Sequence, residues 1–534
     1  MIFGFIGESF ASTFADLFGE AKALRLLCLT EMISPLESVL HSFLIPVHLR
    51  YLRLGAFGLG EHSVGNLSSI ICRCYHLKIL DLEQWYDRDD LPGVMSNLLN
   101  FCHVLYHTRQ NELSSNISNV GKLQFLQELK TSVVKKERNG FELKQLGNLN
   151  ELRVLGICNL EKIHTKEEAI EAKLIDKKYL RKLTLVWDKQ RPNIEPVEEA
   201  LVLEGLQSHR KLHELCISGH GGPSCPTWLG GHISAALQSL HLDGIVWEVF
   251  PPLERMRLLQ ELTSKNVPTI DEYNLSQVQW FPNLKVLKID NCPKVMWLPP
   301  IPWAQTLCSV EIRDVGSMLP YNLEYSKSCS DVHLRITGKN DLYSLDEQIL
   351  DFNNLMDLKQ LSMIKCPPLE SKHFQMLTSL VSLWLSYGSC SIVPSGGEGE
   401  LVIINCGDDL RSNGLWTLVT QGQLSYLEVK ATPKLFVGSD PMRELKYMNA
   451  KTAASRFLQT RVSIYLKTDD DAILAAPICS ILSYSLVKLH IAYNKEVGRF
   501  TEEQEEALQL LTSLQELECW GCDKLQCLPA GLHV

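Results

Sequence analysis

One short pattern of apolar and variable positions recurs along the chain. An apolar residue is followed by two variable residues, a second apolar residue, one variable residue and a third apolar residue, as in Leu24-x-x-Leu27-x-Leu29. The sequence contains 13 strict copies, and close neighbours are mostly 22 to 32 residues apart. Alternating apolar residues at the end of each copy are typical of a short β-strand with one buried face. The interval leaves room for one strand and one return segment per copy.

This spacing is typical of leucine-rich repeats, in which a single unit cannot bury its own apolar face and stacked units share a continuous core. The pattern therefore predicts an α/β solenoid: a leucine-rich-repeat horseshoe with a concave parallel β-sheet and a convex side of mixed helices and loops. We expect one solenoid over residues 1–534. It would comprise proximal repeats over 1–135, central repeats with long convex helices over 136–300, and irregular distal repeats over 301–534.

Helix start signals occur on the predicted convex side. Thr165 and Glu168 have the spacing of a capping box and predict a helix over 166–177. Pro196 suits the first turn of a second helix, and Thr501 with Gln504 predicts a third near 502–511. The middle apolar residue of each strict copy should be buried, namely Leu27, Leu52, Leu80, Leu155, Leu183, Leu215, Leu240, Leu287, Leu361, Leu383, Leu427, Leu489 and Leu517.

Cysteine usage favours reduced thiols rather than a disulfide scaffold, because the 17 cysteines are scattered and odd in number. The pair Cys519 and Cys522 has redox-motif spacing but falls on the inward positions of a repeat, where a small polar group can hydrogen-bond the backbone at the end of a strand. We find no catalytic constellation, metal-ligand set or phosphate loop, so the sequence predicts no enzyme activity, cofactor or metal.

The charge and hydropathy of the sequence bear on where the protein is located and which classes of partner it binds. A net charge of −10 gives no reason to expect nucleic-acid binding. The N-terminal segment lacks a basic region typical of signal peptides, and no uncharged apolar run is long enough for a membrane span. These features predict a cytoplasmic protein.

The variable positions of the strands should project from the concave face, where tyrosine, tryptophan and arginine often dominate protein–protein binding. The candidate binding residues are Tyr51, Arg53, Lys182, His241, Lys288, Trp384, Tyr426, Lys488 and His490.

A basic segment over 130–191 has 15 Lys or Arg against 9 Asp or Glu. These charges are either solvated helix faces or a docking patch for an acidic protein surface. The candidate docking residues are Lys166, Lys173, Lys177, Lys178, Arg181 and Lys182.

Longer phrases resemble one family, the leucine-rich-repeat region of plant nucleotide-binding leucine-rich-repeat disease-resistance proteins of the coiled-coil type. They include the sequences of residues 115–129, 141–149, 226–229, 281–293 and 500–514. The resemblance implies a sensor and autoinhibitory module acting in defense. Its partners would be a protein ligand, either a pathogen effector or a host guard protein, and possibly a nucleotide-binding switch domain.

The chain departs from that family because it lacks the phosphate-loop motif and stops at Val534. We therefore expect a fragment, a truncated gene product or a non-functional remnant of a receptor gene. An adaptor scaffold, such as the substrate-binding region of a ubiquitin ligase, is the alternative of another class. It would require a ligase-docking element, and the sequence runs almost directly into a repeat.

Overall fold

The computed structural model describes a large part of the chain, in many separate ranges. They are residues 2–6, 23–32, 48–54, 71, 74–82, 93–106, 119–135, 141–192, 195–231, 233–251, 253–269, 281–295, 298–316, 319, 321–339, 350–367, 373, 376–387, 399–406, 415–420, 422–432, 435–437, 439–442, 445, 462–527 and 529. Residue contacts divide the chain into two compact units, Met1–Leu284 and Lys285–Val534. The three sub-blocks expected from the sequence stay a prediction.

Short strands at repeat spacing build both units. The strands of the first unit are β1 Ile2–Ile6, β2 Leu26–Met32, β3 Tyr51–Leu54, β4 Ile79–Leu82, β5 His103–Tyr106, β6 Glu128–Val133, β7 Val154–Cys158, β8 Lys182–Val186, β9 Glu214–Ser218, β10 Ser239–Asp243 and β11 Glu261–Lys265. Those of the second unit are β12 Val286–Asp290, β13 Ser309–Arg313, β14 Tyr321–Lys327, β15 Val332–Gly338, β16 Gln360–Ile364, β17 Ser382–Ser386, β18 Gly399–Ile404, β19 Leu424–Lys430, β20 Ile464–Thr468, β21 Leu486–Ala492 and β22 Glu516–Trp520.

Most consecutive strands pair in parallel, so that equivalent repeat positions lie side by side, as Leu183 lies beside Leu215 and Leu215 beside Leu240. The predicted class, an α/β leucine-rich-repeat solenoid with a parallel sheet and mixed helices and loops opposite, is confirmed. One strand departs from the expected all-parallel sheet, because β14 is antiparallel to both β13 and β15. A turn closed by Ser328 and Asp331 makes β14 and β15 a hairpin.

The core follows the predicted leucines. Twelve of the thirteen are buried, with relative exposures of 0% to 4%. The prediction that Leu517 is buried is wrong, because this residue is partly exposed. It lies in β22, which within the described ranges pairs only with β21 and so has a neighbouring strand on one side.

Most strands end in the same backbone turn. The residue after the strand has a positive φ, as at Asn159, Gly219 and Asn405, and the next residue points inward. Cys406 donates its thiol to the carbonyl of Ile404, with sulfur and oxygen 3.7 Å apart. Equivalent thiol bonds of Cys292, Cys366 and Cys522, each to the carbonyl two residues earlier, confirm that cysteines at this offset bind neighbouring backbone.

Helices occupy return segments. The α-helices are α1 Lys166–Ile170, α2 Pro196–Gly205, α3 Leu415–Thr420, α4 Ala476–Leu482 and α5 Glu502–Gln509. The 3-10 helices span Gly93–Asn97, Val120–Lys122, Leu143–Asn148, Leu160–Lys162, Leu174–Asp176, Thr227–Gly230, Leu253–Arg255, Phe352–Leu355 and Asp471–Ile473.

The sequence signals located most of these helix starts. The predicted start of α2 at Pro196 is confirmed, as is the capping box of Thr501 and Gln504 at α5. The prediction of one continuous helix over 166–177 is wrong. Helix α1 begins after Thr165 as expected, but Lys173 adopts φ 49°, and a separate 3-10 turn follows it.

Candidate functional site

The exposed face of the sheets, meaning the strand positions that alternate with the buried leucines, carries the predicted binding residues. In β3 the side chains of Tyr51 and Arg53 both turn to Asp81 on β4. The Tyr51 hydroxyl donates to its carboxylate, and Arg53 Nε lies 3.7 Å from it. Burial and this hydrogen bond raise the pKa of Tyr51 to about 12. These two candidates are therefore engaged within the sheet.

Further candidates of the first unit form cross-strand pairs. Lys182 Nζ on β8 lies 2.8 Å from the Glu214 carboxylate on β9. His241 on β10 contacts the Ser239 hydroxyl at 2.8 Å and lies 3.8 Å from Glu261 on β11. In the second unit, Lys288 on β12 lies 3.4 Å from Glu311 on β13. Because these side chains are largely exposed, each pair contributes only about 0–1 kcal/mol to stability.

A denser cluster covers β19 to β22. The Tyr426 and Tyr465 rings meet edge to face at 5.1 Å, and the Tyr426 hydroxyl donates to Glu428 at 2.7 Å. Burial, followed by that bond, raises the pKa of Tyr426. Although burial opposes it, hydrogen bonds from Lys467 and Tyr426 keep the pKa of Glu428 below its usual value.

The same cluster continues onto the last strands. Lys488 Nζ bonds the carboxylates of Glu518 at 2.9 Å and Glu516 at 3.1 Å. Lys488 Nζ also lies 5.2 Å from the ring centroid of Tyr465. His490 Nδ1 contacts the Tyr465 hydroxyl at 3.2 Å. The structure thus brings together Tyr426, Lys488 and His490, three of the predicted residues.

Trp384 on β17 differs from these candidates. Its side chain is 45% exposed, and within the described part of the chain it makes no hydrogen bond or ring contact. It lines a pocket of about 490 Å³ on the exposed face of β15 to β18.

The basic docking residues do not all lie on the surface. Lys173, Lys178, Arg181 and Lys182 are exposed and Lys166 is partly exposed. The assignment of Lys177 to the docking patch is wrong, because its side chain is fully buried.

The Lys177 ammonium donates to the carbonyls of Leu146 at 2.7 Å and Leu149 at 3.0 Å. Both carbonyls lie at the end of the 3-10 helix Leu143–Asn148. Burial lowers the pKa of Lys177 to about 8. Lys177 therefore links two repeats and offers no charge to a partner.

A buried polar cluster at the ends of β8 to β10 escaped the sequence reasoning. His220 packs edge-on against Trp187 and accepts a hydrogen bond from Trp247 Nε1 at 2.9 Å. Burial lowers the pKa of His220 to about 4. Nearby, the buried carboxylate of Glu199 pairs with Arg191 at 2.7 Å. The sequence signal for this cluster was the recurrence of tryptophan after β8 and β10, at Trp187 and Trp247. Because the cluster is buried, we assign it a structural role.

The described ranges contain neither a candidate metal site nor a membrane-spanning helix. Within those ranges, no group of three or more His, Cys, Asp or Glu side chains could hold a metal ion. No helix in the same ranges is both long and apolar enough to cross a membrane.

Comparisons with known proteins agree with the repeat pattern. The R13L1/DRL21 leucine-rich-repeat family matches residues 143–267. Disease resistance protein RGA2 of Solanum bulbocastanum is 30% identical over 167 residues, which cover 30% of this chain and 17% of that protein. A putative disease resistance protein RGA1 of the same species is 31% identical over 183 residues, covering 33% and 18%. A putative disease resistance RPP13-like protein 1 of Arabidopsis thaliana is 27% identical over 239 residues, covering 35% and 22%.

The chain thus spans about a fifth of the length of the curated relatives that it matches. Among solved structures, the plant peptide hormone receptor RGFR1 in complex with RGF2 is 16% identical with a TM-score of 0.39, covering 94% of this chain and 79% of that one. A leucine-rich-repeat protein of Leptospira interrogans is 15% identical with a TM-score of 0.34, covering 96% and 97%. Residues 143–267 thus match the R13L1/DRL21 leucine-rich-repeat family model, and the chain is similar over its repeat region to plant disease resistance proteins.

Proposed function

We propose that the chain is a protein-recognition module of plant defense whose exposed sheet face binds a protein ligand, either a pathogen effector or a host guard protein. The observation that carries the proposal is the cluster of Tyr426, Tyr465, Lys488 and His490. It places aromatic and charged side chains on one face of neighbouring strands. Tyrosine is among the few side chains that supply most of the binding energy at protein interfaces. The similarity to resistance proteins supports a defense role in the cytoplasm.

The first test is a two-hybrid screen of plant and effector libraries against the full chain. Each partner is then retested against Tyr426→Ala with His490→Ala, and against Arg210→Ala with Lys211→Ala as an exposed control outside the sheet. We expect the sheet variant to lose the partners and the control to keep them. If no partner is found, or if partners ignore the sheet variant, the proposal fails.

A second proposed contact is docking of the exposed lysines on an acidic nucleotide-binding switch domain. Lys166, Lys173 and Lys178 lie close in sequence to two exposed apolar side chains, Ile170 at 53% and Tyr179 at 52%. Basic and apolar side chains exposed in one segment favour a docking surface for an acidic protein over a face that contacts only solvent.

The chain and the switch domain of a relative would be co-expressed and their association measured at low and high salt. Charge reversal at Lys173 and Lys178 should lower the association rate, because attraction between exposed charges is screened by salt. If association depends on neither salt nor these lysines, the lysines are ordinary solvated charges and the docking proposal fails.

A further inference from the structure

The pocket beside Trp384 is lined by one arginine and by the rings of Trp384, Tyr387 and His333. Arg335 on β15, Ser362 on β16 and Trp384 on β17 lie side by side in register. Ser362 is small, so the floor of the pocket between the two large side chains stays open. Tyr387 stands at the end of β17 on the same rim.

Arg335 is exposed, and its guanidinium makes no hydrogen bond or ion pair with the described residues. Glu324 lies directly opposite on β14, but its carboxylate is bound by Arg313 at 2.6 Å. Arg313 also holds Glu311 at 2.9 Å. Because the neighbouring carboxylates are already neutralised, the pocket presents a guanidinium whose bidentate donors are free for an anion.

The aromatic wall is maintained at a conformational cost. Tyr387 occupies the strand-end position that Asn and Gly fill in other repeats, and it has φ 55°. A bulky residue in this left-handed region is strained, and such strain concentrates at functional sites. The conformation leaves Tyr387 57% exposed beside Trp384 at 45%, so neither ring serves the core.

We propose that this pocket anchors an extended segment of a partner protein through one carboxylate side chain on Arg335 and one large apolar side chain against Trp384 and Tyr387. The assignment rests on the proposed protein-recognition function and names its ligand chemistry. Arg335 and Trp384 stand two strand spacings apart, about 9.5 Å, which matches one turn of an extended polyproline II segment, three residues at about 3.1 Å each with the first and fourth side chains on one face. The recognised segment therefore carries an acidic residue and an aromatic or aliphatic residue three positions apart.

The test uses the full chain and a displayed library of short random peptides. The library is panned against the native chain and against Arg335→Ala, Trp384→Ala, Tyr387→Asn and Arg210→Ala. Arg210 is an exposed arginine in the turn before β9, outside the sheet face, and controls for loss of one positive charge. Recovered peptides are synthesised, and their dissociation constants are measured at two salt concentrations.

We expect the native chain and Arg210→Ala to enrich the acidic–apolar spacing. Arg335→Ala and Trp384→Ala should each raise the dissociation constant about tenfold or more, as loss of a charge-assisted hydrogen bond or an aromatic anchor does. Tyr387→Asn should weaken binding while raising the melting temperature. Tyr493→Asn relieves the same strand-end strain at φ 61° in another repeat and should leave binding unchanged.

The outcomes separate this proposal from the general function. Peptides that lack the spacing, or that bind Arg335→Ala as well as the native chain, overturn the pocket assignment. If such peptides are instead lost with Tyr426→Ala, protein recognition by the sheet face stands. Failure to enrich any peptide overturns the pocket, whereas the two-hybrid screen decides the general function independently.

Discussion

Lys177 and Lys178 are adjacent in sequence and alike in chemistry, yet the structure assigns them opposite roles. The Lys177 ammonium is fully buried and holds the carbonyls of Leu146 and Leu149, whereas Lys178 is exposed. Replacing each by alanine in turn therefore tests the placement of this return segment. Lys178→Ala should change stability by no more than about 0.5 kcal/mol, as exposed substitutions usually do.

The cost of Lys177→Ala has three parts. Removal of the buried side-chain stem loses about 0.8 kcal/mol per methylene, and each abandoned carbonyl costs about 1–3 kcal/mol. Burial of the charge is relieved in return, which restores roughly 3 kcal/mol because the pKa is lowered from 10.5 to about 8. The net expectation is a loss of about 1–5 kcal/mol.

The pH dependence gives a sharper test, with Lys177→Met keeping the side-chain volume. The folded-state pKa lies below the unfolded value, so the unfolded chain binds more protons between the two. The native stability should therefore rise, relative to Lys177→Met, by about 2 kcal/mol from about pH 7 to about pH 9.5.

Hydrogen exchange of the amides in residues 143–149 reports this opening locally, together with the melting temperature. Equal losses for the Lys177 and Lys178 variants, or a difference independent of pH, would refute the buried placement.

Three further outcomes are expected. Glu199→Ala should lower stability by about 3–5 kcal/mol in thermal melts, because it leaves the buried Arg191 without its carboxylate. The pKa of His220 is lowered to about 4, so stability should fall by up to roughly 3 kcal/mol as pH drops from about 6.5 toward 4. His220→Gln should flatten that slope in pH-dependent unfolding. Alkylation without reductant, followed by mass spectrometry, should find Cys519 and Cys522 unlinked, whereas a disulfide between them would contradict their structural role.

Periodicity could predict the strands because each repeat obeys the same local rule. Leu183, Leu215 and Leu240 stack in register since every strand buries the same positions. The capping residues Thr165 and Thr501 likewise marked helix starts, because their hydrogen bonds reach only three residues along the chain.

Features that depend on a break in the rule were missed. The β14–β15 hairpin has its own signal, an alternation of buried Tyr321, Leu323 and Tyr325 followed by a polar turn, but it lacks the full repeat pattern. The burial of Lys177 follows from a 3-10 turn that replaces the second half of an expected helix. A helical wheel assigns such a side chain to the wrong face.

The exposed face shows why candidate residues from sequence could not be ranked. Whether a charge is free depends on which residue lies opposite it on another strand, often twenty or more positions away. Lys182, Lys288 and Lys488 each lie near a carboxylate on the next strand. A ligand that binds them must displace a partner, although at an exposed site that costs only about 0–1 kcal/mol. Arg335 was outside the predicted set, yet no carboxylate of the described residues pairs with its guanidinium, because Arg313 already binds the adjacent Glu324. A ligand carboxylate at Arg335 therefore has no carboxylate of the described residues to displace, unlike one at Lys182, Lys288 or Lys488.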